Sequence, residues 1–179
     1  MSNRVTLVVL CEDEFHQQFA NAFLNRIKLP AEGRRRIERL GSKERLLKAF
    51  PNEARAARNP NVKTRLVVLI DADERSDSQI AAMFRDRLKE AGLEPEFSQD
   101  PVLIVKPRWE LENWALSLLG EGVGEEHDRN ARRKVGGRGR EAARALAEAC
   151  QNHRQPDGSP SSLAVACREW EAHRKEWDY

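Results

Sequence analysis

The chain has 179 residues, 40% of them hydrophobic, which suffices for one buried core and excludes a multi-domain machine. Its 31 basic and 29 acidic residues nearly cancel to a net charge of +2, so bulk basicity cannot argue for a polyanionic partner and only local clusters can. The basic residues are 23 Arg against 8 Lys, a bias that suits bidentate phosphate contacts and also follows from GC-rich coding. Cys11, Cys150 and Cys167 are odd in number and form no CxxC pair, which predicts neither a zinc site nor a disulfide framework and points to a reducing cytoplasm. No run approaches the roughly 20 apolar residues that cross a bilayer, and Met1-Ser2-Asn3-Arg4 leads into a strand pattern, not a signal peptide. A soluble, intracellular protein is the expectation.

Val5 to Cys11 is a β-branched-rich apolar run that stops at Glu12-Asp13-Glu14, the pattern of a strand buried on both faces. Phe15, Phe19, Ala22, Phe23 and Ile27 then recur at helical spacing, with Pro30 closing the segment. Arg34 to Leu40 is basic with sparse apolar residues and reads as an edge strand, where charges are tolerated. Leu46, Leu47 and Phe50 predict a short helix ending before Pro51, and Asn52 to Val62 reads as a connection. Arg65 to Ile70 repeats the buried-strand pattern and stops at Asp71-Ala72-Asp73-Glu74-Arg75. Ser76 with Gln79 forms a capping box for a helix carrying Ile80, Met83, Phe84, Leu88 and Ala91, ended by Gly92. A further strand, Val102 to Val105, runs through Lys106-Pro107 into the helical pattern of Leu111, Trp114, Ala115 and Leu118. Beyond Gly120 come a glycine- and arginine-rich stretch, an Ala-rich helix from Arg140 to Gln151, a linker from Asn152 to Ser161, and a last helix with Leu163, Cys167, Trp170 and Trp177 on one face.

Alternating strands and helices predict an α/β fold: a small, mostly parallel sheet of about four strands flanked by helices. The expected division is an α/β domain over residues 1–120 and a helical extension over 121–179 packed on the same core.

In such a sheet, ligands bind beyond the carboxyl ends of the strands, and three separate segments bring acids there. They carry Glu12, Asp13 and Glu14, then Asp71 and Asp73, then Glu110 and Glu112. Unit charges about 4 Å apart repel by several kcal/mol at an effective dielectric near 20, so the cluster calls for an offset that a divalent cation supplies directly. An all-oxygen set suits Mg²⁺ or Mn²⁺ better than zinc, and Mg²⁺ pairs with phosphate, which predicts a phosphoryl-transfer or phosphodiester substrate. Asp-Ala-Asp is also ordinary loop chemistry before a helix N-terminus; the case for a metal rests on its coincidence with Glu12.

This combination resembles the TOPRIM domain, the metal-binding module of topoisomerases, bacterial primases and several nuclease families. Leu10-Cys11-Glu12-Asp13 holds the position of its strand-end Glu, and Val68-Leu69-Ile70-Asp71-Ala72-Asp73 that of its Asp-x-Asp. Asp13 departs from the usual Gly. Pro107-Arg108-Trp109-Glu110-Leu111-Glu112-Asn113-Trp114 is similar to a segment of small stand-alone bacterial TOPRIM-like proteins and of the nuclease half of OLD-type proteins. The resemblance covers roughly residues 4 to 119. Glu110 and Glu112 lie about 200° apart on a helix and cannot both face one site; the resemblance, not the geometry, selects Glu112 as the third acid.

The resemblance implies a metal-dependent nuclease acting on DNA or RNA with two Mg²⁺ or Mn²⁺ ions, in which Asp71, Asp73 and Glu112 bind metal and Glu12 is ligand or general acid/base. Arg75, Lys106 and Arg108 would neutralise phosphate charge, and Arg132, Arg133 and Lys134, in a basic stretch next to Gly136-Gly137, would contact substrate. His16 reads as a hydrogen-bonded or solvent-facing helix residue, with metal or substrate contact the alternative. Trp109 is the base-stacking candidate among the tryptophans. The lone tyrosine, Tyr179, stands last, so topoisomerase chemistry is not expected. Two alternatives stay open: a TOPRIM-like binding or regulatory subunit of an ATPase-containing phage-defence assembly, the ATPase being another protein because no GxxxxGK[ST] occurs, and a phosphatase using Asp71 as nucleophile.

Overall fold

The apolar runs pair as four strands: β1 (Val5–Cys11), β2 (Gly33–Arg39), β3 (Thr64–Leu69) and β4 (Val102–Val105), all parallel, in the order β2-β1-β3-β4. The computed structural model describes residues 5–29, 33–97, 100–121, 126–152, 154 and 159–176. Between and after the strands lie helices α1 (Glu14–Ile27), α2 (Lys43–Ala57), α3 (Asp77–Glu90), α4 (Leu111–Leu118), α5 (Ala131–Val135), α6 (Gly139–Gln151) and α7 (Ser161–Glu176). The α/β class, the parallel sheet and the edge position of the basic strand are as the sequence predicts.

Strict alternation along the central strands explains why they are continuous apolar runs. Leu7, Val9 and Cys11 of β1, with Val67 and Leu69 of β3, face a core built with α1, α4, α5, α6 and α7. Val8 and Leu10, with Leu66, Val68 and Ile70, face a second core built with α2 and α3, where Phe50 and Phe84 meet edge to face at 4.6 Å. Each fully buried Leu, Val or Phe contributes roughly 1.5–3 kcal/mol. The polar residues of these strands, Thr6, Thr64 and Arg65, stand at their amino ends, and the first acids come only where the strands end.

Four local expectations change. The second helix does not stop at Pro51 but runs through it to Ala57, because Pro51 is buried and Ala54 and Ala57 join the α2–α3 core, and that burial outweighs the lost backbone hydrogen bond. The helix expected to close at Pro30 ends earlier, at Lys28, whose left-handed backbone (φ 56°) donates its N–H to the Leu24 and Asn25 carbonyls; Pro30 lies outside the described residues, as does Trp177. The glycine- and arginine-rich stretch holds a short helix, α5, and a 3₁₀ turn, Gly136–Arg138. Finally, Cys150 and Cys167 form a disulfide between α6 and α7 (Cα–Cα 5.4 Å), overturning the expectation of none; Cys11 alone is free and buried. Spacing could not show it, since the partners come from two helices packed on the same sheet face.

Candidate functional site

In a parallel sheet all strands deliver their carboxyl ends to one edge. From β1 the chain leaves through α1 towards β2, and from neighbouring β3 it leaves through α3 in the opposite direction, towards β4. The loops after β1 and β3 therefore diverge and open a crevice, the topological switch point where α/β sheets place their ligands. Glu12 and Asp71 stand on its two sides. The Glu12 Oε1 accepts a hydrogen bond from the Asp71 amide (3.1 Å), and the Asp71 Oδ1 accepts one from the Leu111 amide at the start of α4 (2.9 Å). The two carboxylates thereby tie three loops together.

His16 is the hub of the cluster. Asp13 caps α1, its Oδ1 accepting from the His16 amide at 3.0 Å. The same oxygen lies 2.8 Å from the His16 Nδ1, while the Nε2 lies 3.1 Å from the Asp71 Oδ1, so a doubly protonated imidazolium satisfies both contacts. Burial opposes that charge, but the hydrogen bonds to Asp13 and Asp71 outweigh it and raise the His16 pKa to about 10. The same bond, against burial, lowers Asp13 to about 2. One ligand-type atom each of Glu12, His16 and Asp71 lie within 4.8 Å of one another.

Glu112, in the first turn of α4, is buried against this group; burial and the neighbouring Asp71 charge push its carboxyl above the usual range, against a backbone hydrogen bond. Burial likewise raises Glu12, with the Lys43 ammonium opposing. Lys43 opens α2 just after β2, and its Nζ donates to the Asp71 carbonyl (2.7 Å) and to the Asp73 Oδ2 (2.6 Å), 4.0 Å from the Glu12 Oε1.

The predicted residues thus separate. Glu12 and Asp71 converge with His16, and Glu112, outside that group of three, is near enough to feel the charges of Asp71, His16 and Asp13. Asp73 does not join them: its backbone turns to φ 52° and bridges to Trp109, and its half-exposed carboxylate pairs with Lys43 and with the Arg75 Nη1 (3.0 Å). Arg132 of α5 reaches over the acids, 3.8 Å from Asp13 and 3.9 Å from Glu112. Arg133, exposed one residue on, is displaced about 100° around the helix, and Lys134 pairs with Asp128. Lys106 pairs with Asp77 at the start of α3 (3.5 Å). Arg108 lies over the Trp109 indole, 5.0 Å from its centroid. Beside Asp73 opens a cleft of about 520 Å³ walled by Trp109 and His127.

Lys43 is absent from the predicted residues, whereas His16 is the hydrogen-bonded helix residue that the sequence predicts. The signal for His16 was Asp13 three residues before it, an N-cap spacing that aims both side chains at the strand end. The signal for Lys43 was the edge strand: β2 is parallel too, so the start of α2 arrives at the same edge as the loops after β1 and β3.

The donor set fits a divalent cation, with Glu12 and Asp71 supplying oxygens and Glu112 a buried carboxyl beside them. Both His16 ring nitrogens are engaged by Asp13 and Asp71, so the imidazolium stands among the carboxylates as a charge. His16 and Lys43 already offset the acids, so an entering cation competes with both.

No protein-family model matches the chain, and no curated protein matches it. Among solved structures, it is similar to the C-terminal region of the Burkholderia pseudomallei OLD protein, at 15% identity and a TM-score of 0.47, covering 96% of this chain and 98% of that one. It is also similar to the C-terminal region of the Xanthomonas campestris pv. campestris OLD protein, at 16% identity and a TM-score of 0.43, covering 96% and 95%. Neither carries a residue role over to this chain.

Proposed function

We propose that the chain hydrolyses phosphodiester bonds in nucleic acid with the help of a divalent cation held at the β1/β3 crevice. The observation that carries this reading is the convergence of Glu12, His16 and Asp71, from two different loops, within 4.8 Å at the switch point of a parallel sheet. A bound Mg²⁺ or Mn²⁺ would supply Lewis-acid stabilisation of charge on a phosphoryl oxygen. Glu12 and Asp71 hold it, with Glu112 completing the set. The raised affinity of Glu112 for protons suits it to accept a proton from water beside the phosphate. Arg132, exposed above the acids, meets the phosphate itself. Asp73, with Lys43 and Arg75 on its carboxylate, serves to place those two cations at the rim rather than to bind metal.

A second reading is favoured by one observation: His16 and Lys43 balance the acids without any ion. In it the chain binds nucleic acid or regulates an ATPase partner and cleaves little by itself. Incubation with linear, circular and single-stranded DNA and with RNA, in Mn²⁺, Mg²⁺ or EDTA, decides between the two. Metal-dependent cleavage lost in Glu12→Gln and Asp71→Asn is the expected result. Cleavage unchanged in both variants refutes the site, and binding without cleavage in either metal establishes the second reading.

A further inference from the structure

Trp109 has a backbone that a bulky residue rarely adopts, φ 63°, and it is held there by the bridge to Asp73. Such conformations persist where the surroundings impose them, and they gather at binding sites. Trp109 so placed lines the cleft beside Asp73. The His127 imidazole stacks on the indole at 4.7 Å between centroids and 8° between planes, and His127 is exposed in the same cleft.

We infer that this cleft holds a single unstacked nucleobase of the substrate strand, stacked on the Trp109–His127 pair, beside the bond that the carboxylate cluster attends. The inference rests on the nucleic-acid reading above. Its volume, about 520 Å³, accommodates a nucleoside. Its polar lining is acidic, with Asp73, Glu74 and Glu110 against Arg75, which disfavours a phosphate and suits the donor edges of a base. Asp73 is shared: it lines the cleft and carries Lys43, which also approaches Glu12, so a base in the cleft lies next to the cluster. Stacking tolerates any base, because every base has a π-face, so the pocket selects unpaired strand over duplex and not one sequence over another.

The test uses the full chain with Asp71→Asn, in EDTA, and fluorescein-labelled single-stranded oligonucleotides of one length, either with bases or fully abasic. The phosphate charge is the same in both. Anisotropy titration should show the base-bearing strand binding about tenfold more tightly than the abasic one. His127→Ala should reduce that ratio several-fold and Trp109→Gly should abolish it, each leaving abasic affinity unchanged; Trp109→Phe should restore most of it. Circular dichroism verifies that each variant is folded, and His127, being exposed, tests the idea even where Trp109→Gly does not fold. Equal affinity for the two strands, or a ratio unmoved by His127→Ala, overturns the pocket while leaving cleavage by the native chain intact. A ratio that behaves as expected in a protein that never cleaves supports the pocket and refutes the nuclease reading. Absence of binding to both strands overturns the pocket, and cleavage by the native chain in Mn²⁺ or Mg²⁺ still tests the nuclease reading separately.

Discussion

Reduction of the Cys150–Cys167 disulfide is the perturbation whose size the structure fixes best. The bond joins α6 to α7 across a separation of 17 residues. The entropy of closing such a loop in the unfolded chain corresponds to about 3 kcal/mol at 25 °C. For a domain of this size each kcal/mol moves the melting temperature by about 2–4 °C, so reduction should lower it by about 6–12 °C. Thermal melts of protein equilibrated with oxidised glutathione, with and without excess phosphine reductant, measure the shift. Thiol titration in denaturant gives the count directly: one free thiol, Cys11, before reduction and three after. The Cys150→Ala, Cys167→Ala double variant should melt near the reduced protein and ignore the reductant. Three titratable thiols in glutathione-equilibrated protein, with no shift on reduction, would refute the pairing.

The remaining predictions concern packing and charge. A Cβ at Gly139 would lie 2.6 Å from the Phe15 Cε2, so Gly139→Ala should destabilise by about 1–3 kcal/mol in urea unfolding, with part recovered by adding Phe15→Leu. Pro51→Ala should stabilise by about 1–2 kcal/mol, the helix-propensity gain of about 3 kcal/mol reduced by the buried ring it removes; a loss of stability would show that the proline shapes α2. Lys43→Met leaves Glu12 and Asp73 without their shared cation and should cost about 1–3 kcal/mol in EDTA. In the same variant Mn²⁺ should bind more tightly than to the native chain by isothermal titration; weaker binding would mean that Lys43 supports the metal instead of competing with it.

The parts of the fold legible in the sequence are those dictated by near neighbours. Val5 to Cys11 and Arg65 to Ile70 can only be doubly buried strands, and Ser76 with Gln79 forms the capping box as expected, both reciprocal bonds being present. The acids that converge could be named because each ends a strand or opens the helix after one. What stayed hidden depends on distant parts of the chain. Pro51 is tolerated only because the α2–α3 core covers it. Asp73 leaves the cluster because Trp109, from another loop, claims its amide at 3.0 Å. The balance of charge is hidden for the same reason: local counting finds repelling acids, whereas His16 and Lys43 reach them from the segments after β1 and β2.

The contact between Gly139 and Phe15 has a consequence for where the molecule can be divided. Phe15 stands in the first turn of α1, between the cap residue Asp13 and His16, and Gly139 opens α6 a few residues after Arg132. Ring against bare backbone leaves no slack, so the height of Arg132 above the acids is set by how α6 rests on α1. A chain ended after Gly120 would retain Glu12, Asp71 and Glu112 in sequence yet lose the spacer that positions their arginine, and it would bare the apolar flank of α1 to water. The C-terminal third is in this sense a gauge for the carboxylate edge, and insertions between residues 126 and 139 should change activity before they change stability.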